Sequence, residues 1–136
     1  MVDKLAIERA CERLVLDFAY YSDRKEYESL AQLFAADGMI QRPGAEQALV
    51  PIVGREAIIQ AYSARPADRM TRHVCSNIRI TVESANRAHG ITYAVVYSAT
   101  GNDKAEERIG EFEDQFVRTS EGWRFAVRQA CFVMHT

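Results

Sequence analysis

The first 22 residues place apolar side chains at intervals of three and four positions. Ile7, Leu14 and Phe18 belong to this stripe, and charged residues fill many of the positions between its members. Such spacing is typical of a helix that buries one face against a core. It predicts a long amphipathic helix over residues 3–22.

Two further helices are predicted before residue 66. Asp23 stands three residues before Glu26, the spacing of a capping box, and an apolar stripe over residues 27–34 predicts a short helix after it. Residues 36–54 contain prolines and glycines and predict one short strand and an irregular loop. Residues 55–65 predict the third helix, which ends before a proline.

The pattern changes to alternation from residue 71 onward. Segments 71–83, 87–99, 107–119 and 122–134 are rich in β-branched and aromatic residues, and turn signals separate them. Four successive long strands with short connections predict an antiparallel sheet that curls under its own twist. Helices followed by a sheet indicate the α+β class, with three N-terminal helices packed into the concave face of a curved antiparallel sheet.

The first of these strands has two chemically different faces. His73, Cys75 and Asn77 lie two residues apart and share one face, whereas Val74 and Ile78 take the other. An unperturbed imidazole has a pKa of roughly 6.5, so it is mostly neutral yet basic enough to accept a proton. His73 is therefore a candidate general base. The competing interpretation is a core histidine bonded to a backbone carbonyl.

The composition of the 136-residue chain is that of one globular domain, predicted to span residues 1–136. Its 17 basic and 19 acidic side chains give a net charge of −2 with no basic run, which argues against a nucleic-acid partner. No stretch is apolar enough for a signal peptide or a membrane span, so we expect no membrane partner. Three cysteines in apolar segments suggest reduced thiols and a cytoplasmic protein.

Four motifs together carry a family resemblance. "LFAADG" ends the second predicted helix, "GREAI" begins the third, "TRHVCSN" lies on the first long strand and "EDQFVRTSEGWRF" on the last hairpin. Their order resembles the SnoaL-like group of the nuclear-transport-factor-2-like superfamily over nearly the whole chain. The resemblance implies a cone-shaped, cystatin-like α+β barrel around a deep, mostly apolar pocket. Relatives include scytalone dehydratase, bile-acid dehydratase, polyketide cyclases and ketosteroid isomerase.

The resemblance also implies a pair of catalytic residues. "SDRKEYESL" is similar to the segment in which the scytalone dehydratase group keeps a pocket aspartate, and the match falls on Asp23. "TRHVCSN" is similar to the strand that bears the histidine of that group, and the match falls on His73. The chain departs from the fungal dehydratase at Ser22, where that enzyme has Tyr, and offers no recognisable second pocket histidine. The sequence context also suits Asp23 as an N-cap, so both roles stay open.

Other side chains are candidates for the pocket wall or for a hydrogen bond to the substrate. A tyrosine can donate to an oxygen that gains charge, and strand aromatics can line a pocket, although each can equally be a core or rim residue. The candidate substrate-binding residues are Tyr20, Tyr21, Asn77, Tyr93, Tyr97, Phe112, Trp123 and Met134. For Arg128, in an apolar segment, a structural ion pair is the favoured interpretation. Arg65, Arg69 and Arg72 could meet an anionic substrate, but a solvated loop is the favoured interpretation.

These features predict a cofactor-free lyase or isomerase of the dehydratase or cyclase type. His73 would remove a proton alpha to the carbonyl of a small apolar cyclic or polyketide-like substrate, Asp23 would orient the ring, and Tyr20 or Tyr97 would bind the enolate oxygen. We expect no metal and no cofactor, because neither a metal-ligand spacing nor a glycine-rich phosphate loop is recognisable. The alternative is a non-catalytic ligand-binding or assembly module. A homodimer through the sheet is expected under both hypotheses.

Overall fold

The computed structural model describes residues 2–43 and 48–135, in which three helices and six strands are present. The helices are α1 (Lys4–Arg24), α2 (Tyr27–Gln32) and α3 (Arg55–Ser63). The strands are β1 (Phe34–Pro43), β2 (Leu49–Val53), β3 (Arg69–Val82), β4 (Arg87–Thr100), β5 (Glu106–Thr119) and β6 (Gly122–His135). The three predicted helices and the four predicted long strands are therefore confirmed.

The six strands form one curved, unclosed sheet in the order β2-β1-β6-β5-β4-β3. Neighbouring strands are antiparallel at every junction except that between β1 and β6, which run parallel. Helix α1 packs across the sheet against β3, β4 and β6. The α+β fold with helices on the concave face is confirmed, and the parallel junction makes the sheet mixed.

Helix α1 forms because it is capped at its start and buries one face. The Asp3 side chain accepts a hydrogen bond from the backbone N–H of Ala6 at 3.1 Å, the usual role of an N-cap. Val15 and Phe18 lie on its buried face, and each such side chain contributes roughly 1.5–3 kcal/mol by leaving water. Lys25 ends the helix in the left-handed conformation.

The end of α1 decides between the two interpretations of Asp23. The helix continues to Arg24, so Asp23 lies in its last turn and not at the start of α2. Glu26 occupies the N-cap position of α2, and no side chain makes a cap hydrogen bond there. The capping-box prediction is therefore wrong, and the Asp23 carboxylate is available for contacts across the fold.

The segment before α3 contains two strands instead of the single short strand predicted. Phe34 begins β1 and does not continue the second helix, and its fully buried ring lies beside Phe125 of β6. The Arg55 side chain donates to the backbone carbonyl of Phe34 at 3.0 Å. Because β1 pairs with a strand from the far end of the chain, its local sequence gives only a weak strand signal.

A bulge in β3 exchanges the two faces of that strand. The register against β4 shifts between Ser76 and Arg79, and Asn77 adopts a positive φ of 52°, which asparagine tolerates better than most residues. His73 therefore faces inward before the bulge, while Ile78 packs against the core after it. The expectation that Val74 and Ile78 share a face is wrong for this reason.

The outer face of β3 and β4 leaves large apolar side chains exposed. Val74, Ile91, Tyr93 and Tyr97 are each at least 41% exposed. Such a patch is typical of an interface, so the homodimer through the sheet stays a prediction. Among the described residues, no helix has the length and apolar character needed to cross a membrane.

A buried ion pair lies between α1 and the sheet. The Arg128 side chain is fully buried, and its Nε is 3.2 Å from Oδ1 of Asp114, which confirms the predicted structural ion pair. The two groups are close but not aligned as a hydrogen bond. The guanidinium also lies 3.7 Å, 4.3 Å and 4.8 Å from the ring centroids of Phe112, Phe18 and Phe125. Burial raises the pKa of the Asp114 carboxyl to about 6, although Arg128 opposes this rise.

We expect Asp114→Asn to lower the free energy of unfolding by roughly 3–5 kcal/mol, because it leaves the buried guanidinium without a counter-charge. Urea unfolding followed by tryptophan fluorescence measures this loss. The control is Glu113→Gln, an exposed neighbour on the same strand, which should change the value by no more than about 0.5 kcal/mol. Equal effects of the two substitutions would show that the ion pair contributes nothing to stability.

Candidate active site

A cavity of about 350 Å³ opens between α1, the end of α3 and the inner face of the sheet. Its size lies at the lower end of the range for small-molecule sites in proteins. Most of its wall is apolar, and the lining residues come from α1, α3, the segment after α3 and all six strands. The large side chains in that wall are Phe18, Ile40, Tyr62, Val96, Phe112 and Phe132. The predicted apolar pocket is therefore present, and Phe112 lines it as expected.

Asp23 joins the last turn of α1 to β3 through two residues that line this cavity, Thr71 and His73. Its Oδ1 accepts from the Thr71 hydroxyl at 2.8 Å and lies 2.6 Å from Nδ1 of His73. Its Oδ2 accepts from the backbone N–H of His73 at 3.0 Å. Both side chains are mostly buried, with 10% of the His73 side chain and 14% of the Asp23 side chain exposed. Three hydrogen bonds therefore fix one carboxylate against one imidazole.

The hydrogen bonds also set the charge of Asp23. Partial burial by itself would raise the pKa of the carboxyl, but the hydrogen bonds from His73 and Thr71 and the charge of the imidazole outweigh it. The net effect is a lowered pKa, so the carboxylate is ionised at neutral pH. An ionised carboxylate holds the Nδ1 proton of a neutral imidazole, which leaves Nε2 as the basic nitrogen.

His73 contributes to the wall of the cavity. Nδ1 of the ring is bonded to Asp23, and Nε2 has no hydrogen-bond partner in the described part of the chain. The core-histidine interpretation requires a bond from the imidazole to a backbone carbonyl, and the ring makes no such bond in the described part of the chain. The arrangement provides a base with a set tautomer beside a largely apolar space, which is suited to removing a proton from carbon.

Seven other predicted site residues lie outside the lining of the cavity. Tyr20, Tyr93, Tyr97 and Met134 are about half exposed, Tyr21 and Trp123 pack against the outside of the core, and Asn77 is exposed at the bulge of β3. For Tyr93 and Tyr97 the reason is strand parity, because small residues such as Thr92 and Ala94 face inward on β4 and leave the tyrosines on the outer face. Spacing shows which residues share a face, but not which face is buried.

The cavity contains polar residues that the sequence analysis did not assign to it. Thr71 precedes His73 by two residues, so strand parity was a usable signal for its inward position. Ser22, noted only as a departure from the fungal dehydratase, is buried and lines the cavity. Arg65 and Arg69 also line it, so for these two residues the solvated-loop interpretation is wrong. Arg72 is exposed and lies outside the lining.

Metal and thiol chemistry find little support at this site. Over residues 2–43 and 48–135, no group of three or more histidine, cysteine or acidic side chains is arranged to hold a metal ion. Cys75 lies near the dyad on β3, and burial raises the pKa of its thiol, which opposes formation of the reactive thiolate.

The sequence profile of the SnoaL-like domain matches residues 3–129. The chain belongs to the SnoaL-like domain family. A search of curated protein sequences finds no match. The match covers all residues that line the cavity except Ala130 and Phe132.

Solved structures show the same fold as this SnoaL-like chain. A protein from Novosphingobium aromaticivorans, provisionally named a scytalone dehydratase, is 24% identical with a TM-score of 0.84, over 98% of this chain and 88% of that one. The hexachlorocyclohexane dehydrochlorinase LinA-type3 from Novosphingobium barchaimii is 17% identical with a TM-score of 0.86, over 98% and 90%. An NTF2-like protein with a cystatin-like fold from N. aromaticivorans is 23% identical with a TM-score of 0.80, over 96% and 84%. These likenesses confirm the predicted fold.

We expect Asp23→Asn to be less stable than wild type at pH 5, with a deficit that narrows below about pH 4. The folded-state pKa of Asp23 is lowered, so its stabilisation is complete above the unfolded-state value of about 3.9 and is lost as the pH falls through the folded-state value. Urea midpoints at pH 5 and pH 2.5 measure the change. Asp17→Asn, which removes a carboxylate paired with Arg13 on the same helix, is the control. A deficit for Asp23→Asn that is the same at both pH values would contradict the coupling.

Proposed function

We propose that this SnoaL-like protein is a cofactor-free lyase or isomerase in which His73 removes a proton from the carbon alpha to a carbonyl. The observation that carries the proposal is the 2.6 Å contact between Nδ1 of His73 and Oδ1 of Asp23, with the ring in the wall of a largely apolar cavity. Asp23 is the positioning residue, since it acts on the substrate only through the imidazole.

The proton transfer takes place at Nε2 of His73. As the carbon–hydrogen bond breaks, Nε2 takes the proton and the electron pair passes to the carbonyl oxygen, giving an enolate and an imidazolium. The Asp23 carboxylate stabilises this imidazolium, because it accepts the Nδ1 proton and carries the opposite charge. The apolar walls keep water away, which strengthens the interaction between the two charges.

The next step of the enolate distinguishes an elimination from an isomerisation. In an elimination, a hydroxyl or halide on the beta carbon leaves as the new carbon–carbon double bond forms, and His73 can return its proton to a departing hydroxide. In an isomerisation, the same proton is returned to a different carbon. The site therefore serves both reactions with one base, and the substrate decides between them.

Ser22 is the donor that we assign to the enolate oxygen. Its hydroxyl is buried in the lining of the cavity and has no hydrogen-bond partner among the described residues. It precedes Asp23 on α1, so it lies next to the dyad. A buried donor without a partner is costly unless a ligand accepts its hydrogen bond. Ser22 takes the role expected of Tyr20 or Tyr97, which lie outside the cavity.

The names of two similar structures support this type of chemistry. A scytalone dehydratase removes water and a dehydrochlorinase removes hydrogen chloride, and both names describe eliminations. The conditions that would favour a non-catalytic module are not met, because Asp23 does not cap α2 and His73 lines the cavity.

The test is the exchange of alpha protons for deuterium, followed by NMR in D₂O with a panel of cyclic enones and β-hydroxy ketones. We expect wild type to accelerate exchange in at least one compound, and His73→Gln to reduce that rate by about 10²–10⁴-fold, the usual contribution of a general base. Asp23→Asn should reduce it by about 10–100-fold, because the ring loses its orientation.

The matched control is His89→Gln. His89 also places Nδ1 2.6 Å from a carboxylate, that of Glu83, but this pair is half exposed and lies outside the cavity. The His89→Gln variant should catalyse the exchange of alpha protons at the wild-type rate. Exchange that survives in His73→Gln, or that falls equally in the control, would overturn the assignment of the base.

A further inference from the structure

Four arginines contribute to the wall of the cavity. Arg42 comes from the end of β1, Arg65 follows α3, Arg69 begins β3 and Arg108 lies on β5. Among the described residues, no aspartate or glutamate lines the same space. Several cations therefore face a largely apolar space, and the carboxylate next to it, Asp23, is already bonded to Thr71 and His73. The first three of these arginines are called the arginine cluster below.

Two of the three arginines in the cluster stack on one aromatic ring. Tyr62 is 3% exposed, and the guanidinium carbons of Arg65 and Arg42 lie 4.3 Å and 5.0 Å from its ring centroid. Stacking of this kind orients a guanidinium without using its N–H groups, which stay free to donate. Tyr62 therefore presents two guanidinium groups to the cavity.

The charges of the cluster are close together and lack carboxylate partners among the described residues. Burial lowers the pKa of Arg65, and the neighbouring charges of Arg42 and Arg69 lower it further, while Tyr62 opposes both effects. Nε of Arg69 is buried without a hydrogen-bond partner in the same part of the chain. Arg108 differs, because it lies 3.5 Å from a carboxylate oxygen of Glu106.

Such a cluster is unfavourable in the empty protein. Like charges repel, and a buried N–H without an acceptor forgoes a hydrogen bond that water would otherwise supply. A bound anion removes both penalties at once, since each guanidinium can donate two parallel hydrogen bonds to a carboxylate. The arginine cluster therefore favours the binding of an anionic group.

Arg69 of the cluster and His73 of the dyad lie on the same face of β3. Arg69, Thr71 and His73 alternate along β3 and all three line the cavity. Four residues of extended strand separate the Cα atoms of Arg69 and His73 by roughly 13 Å. The long arginine side chain shortens the gap between the charged groups, so one small molecule can reach both.

We propose that the substrate is an organic acid whose carboxylate binds to Arg42, Arg65 and Arg69 while its carbonyl-activated carbon lies against His73. The position of the reactive carbon rests on the proposed function, whereas the carboxylate site does not. A carboxylate suits the site because its planar oxygens match stacked guanidinium groups and the remaining wall accepts an apolar body. The arginine cluster then decides both which compounds enter and which end of the molecule meets the base.

The test compares acids with their neutral amides by isothermal titration calorimetry. The probe pairs are benzoate with benzamide, 2-naphthoate with 2-naphthamide, and 4-biphenylcarboxylate with its amide, which share shape and differ in charge. We expect wild type to bind at least one acid about tenfold or more tightly than its amide. Arg69→Gln should weaken binding of that acid by about tenfold or more and change binding of the amide by less than about twofold.

The matched control is Arg72→Gln on the same strand. Arg72 is exposed and lies outside the cavity lining, so the substitution removes the same charge from the chain but not from the site. It should preserve the preference for the acid to within about twofold. The proposal is overturned if no acid binds more tightly than its amide, or if Arg72→Gln weakens acid binding as much as Arg69→Gln.

The two proposals fail separately. Binding of these unreactive acids does not require proton transfer, so His73→Gln should retain the preference for the acid. If exchange survives in His73→Gln while wild type prefers the acid, the assignment of the base fails and the carboxylate site stands. If exchange depends on His73 but no acid binds more tightly than its amide, the base stands and the acid is removed from the description of the substrate. Urea midpoints of Arg69→Gln and Arg72→Gln confirm that both variants are folded.

Discussion

The site depends on one carboxylate that joins a helix to a strand. Asp23, in the last turn of α1, accepts hydrogen bonds from the hydroxyl of Thr71 and from the backbone N–H of His73, and contacts the imidazole at 2.6 Å. The bond to the backbone fixes the position of β3 relative to α1, while the bond to the side chain fixes the ring. The same carboxylate thus holds the cavity wall in place and selects the basic nitrogen of His73.

Charge is distributed unevenly around the cavity. His73 of the dyad lies in the wall on β3, whereas the arginine cluster comes from the end of β1, the segment after α3 and the start of β3. Arg128 lies beneath this wall, where the rings of Phe18 and Phe112 cover its guanidinium and Asp114 supplies the counter-charge. The buried cation therefore belongs to the framework, while the cations of the cluster face the space that a ligand would fill.

The long elements could be predicted from the sequence because their signals are local. Periodicity identifies α1, and alternation identifies β3–β6 with bounds within a few residues. The match to His73 and Asp23 came from the family resemblance, since the sequence context of Asp23 by itself favoured a helix cap. Only one short strand is predicted where β1 and β2 lie, because the strand character of β1 depends on pairing with β6, which no local pattern shows. The bulge at Asn77 has no local signal either, and it exchanges the inner and outer faces of β3.

The sequence identifies Arg65 and Arg69 as candidates for binding an anion. The role of the arginine cluster also depends on Arg42 and Tyr62, which come from distant elements.

The most direct test of this account is the tautomer of His73, read from a long-range ¹H–¹⁵N correlation spectrum at a pH at which the ring is neutral. The account predicts that wild type carries its proton on Nδ1, bonded to Asp23, and leaves Nε2 bare. It also predicts that Asp23→Ala loses this preference while the signals of His89 stay unchanged. A wild-type ring protonated on Nε2, or identical His73 spectra in the two proteins, would contradict the account.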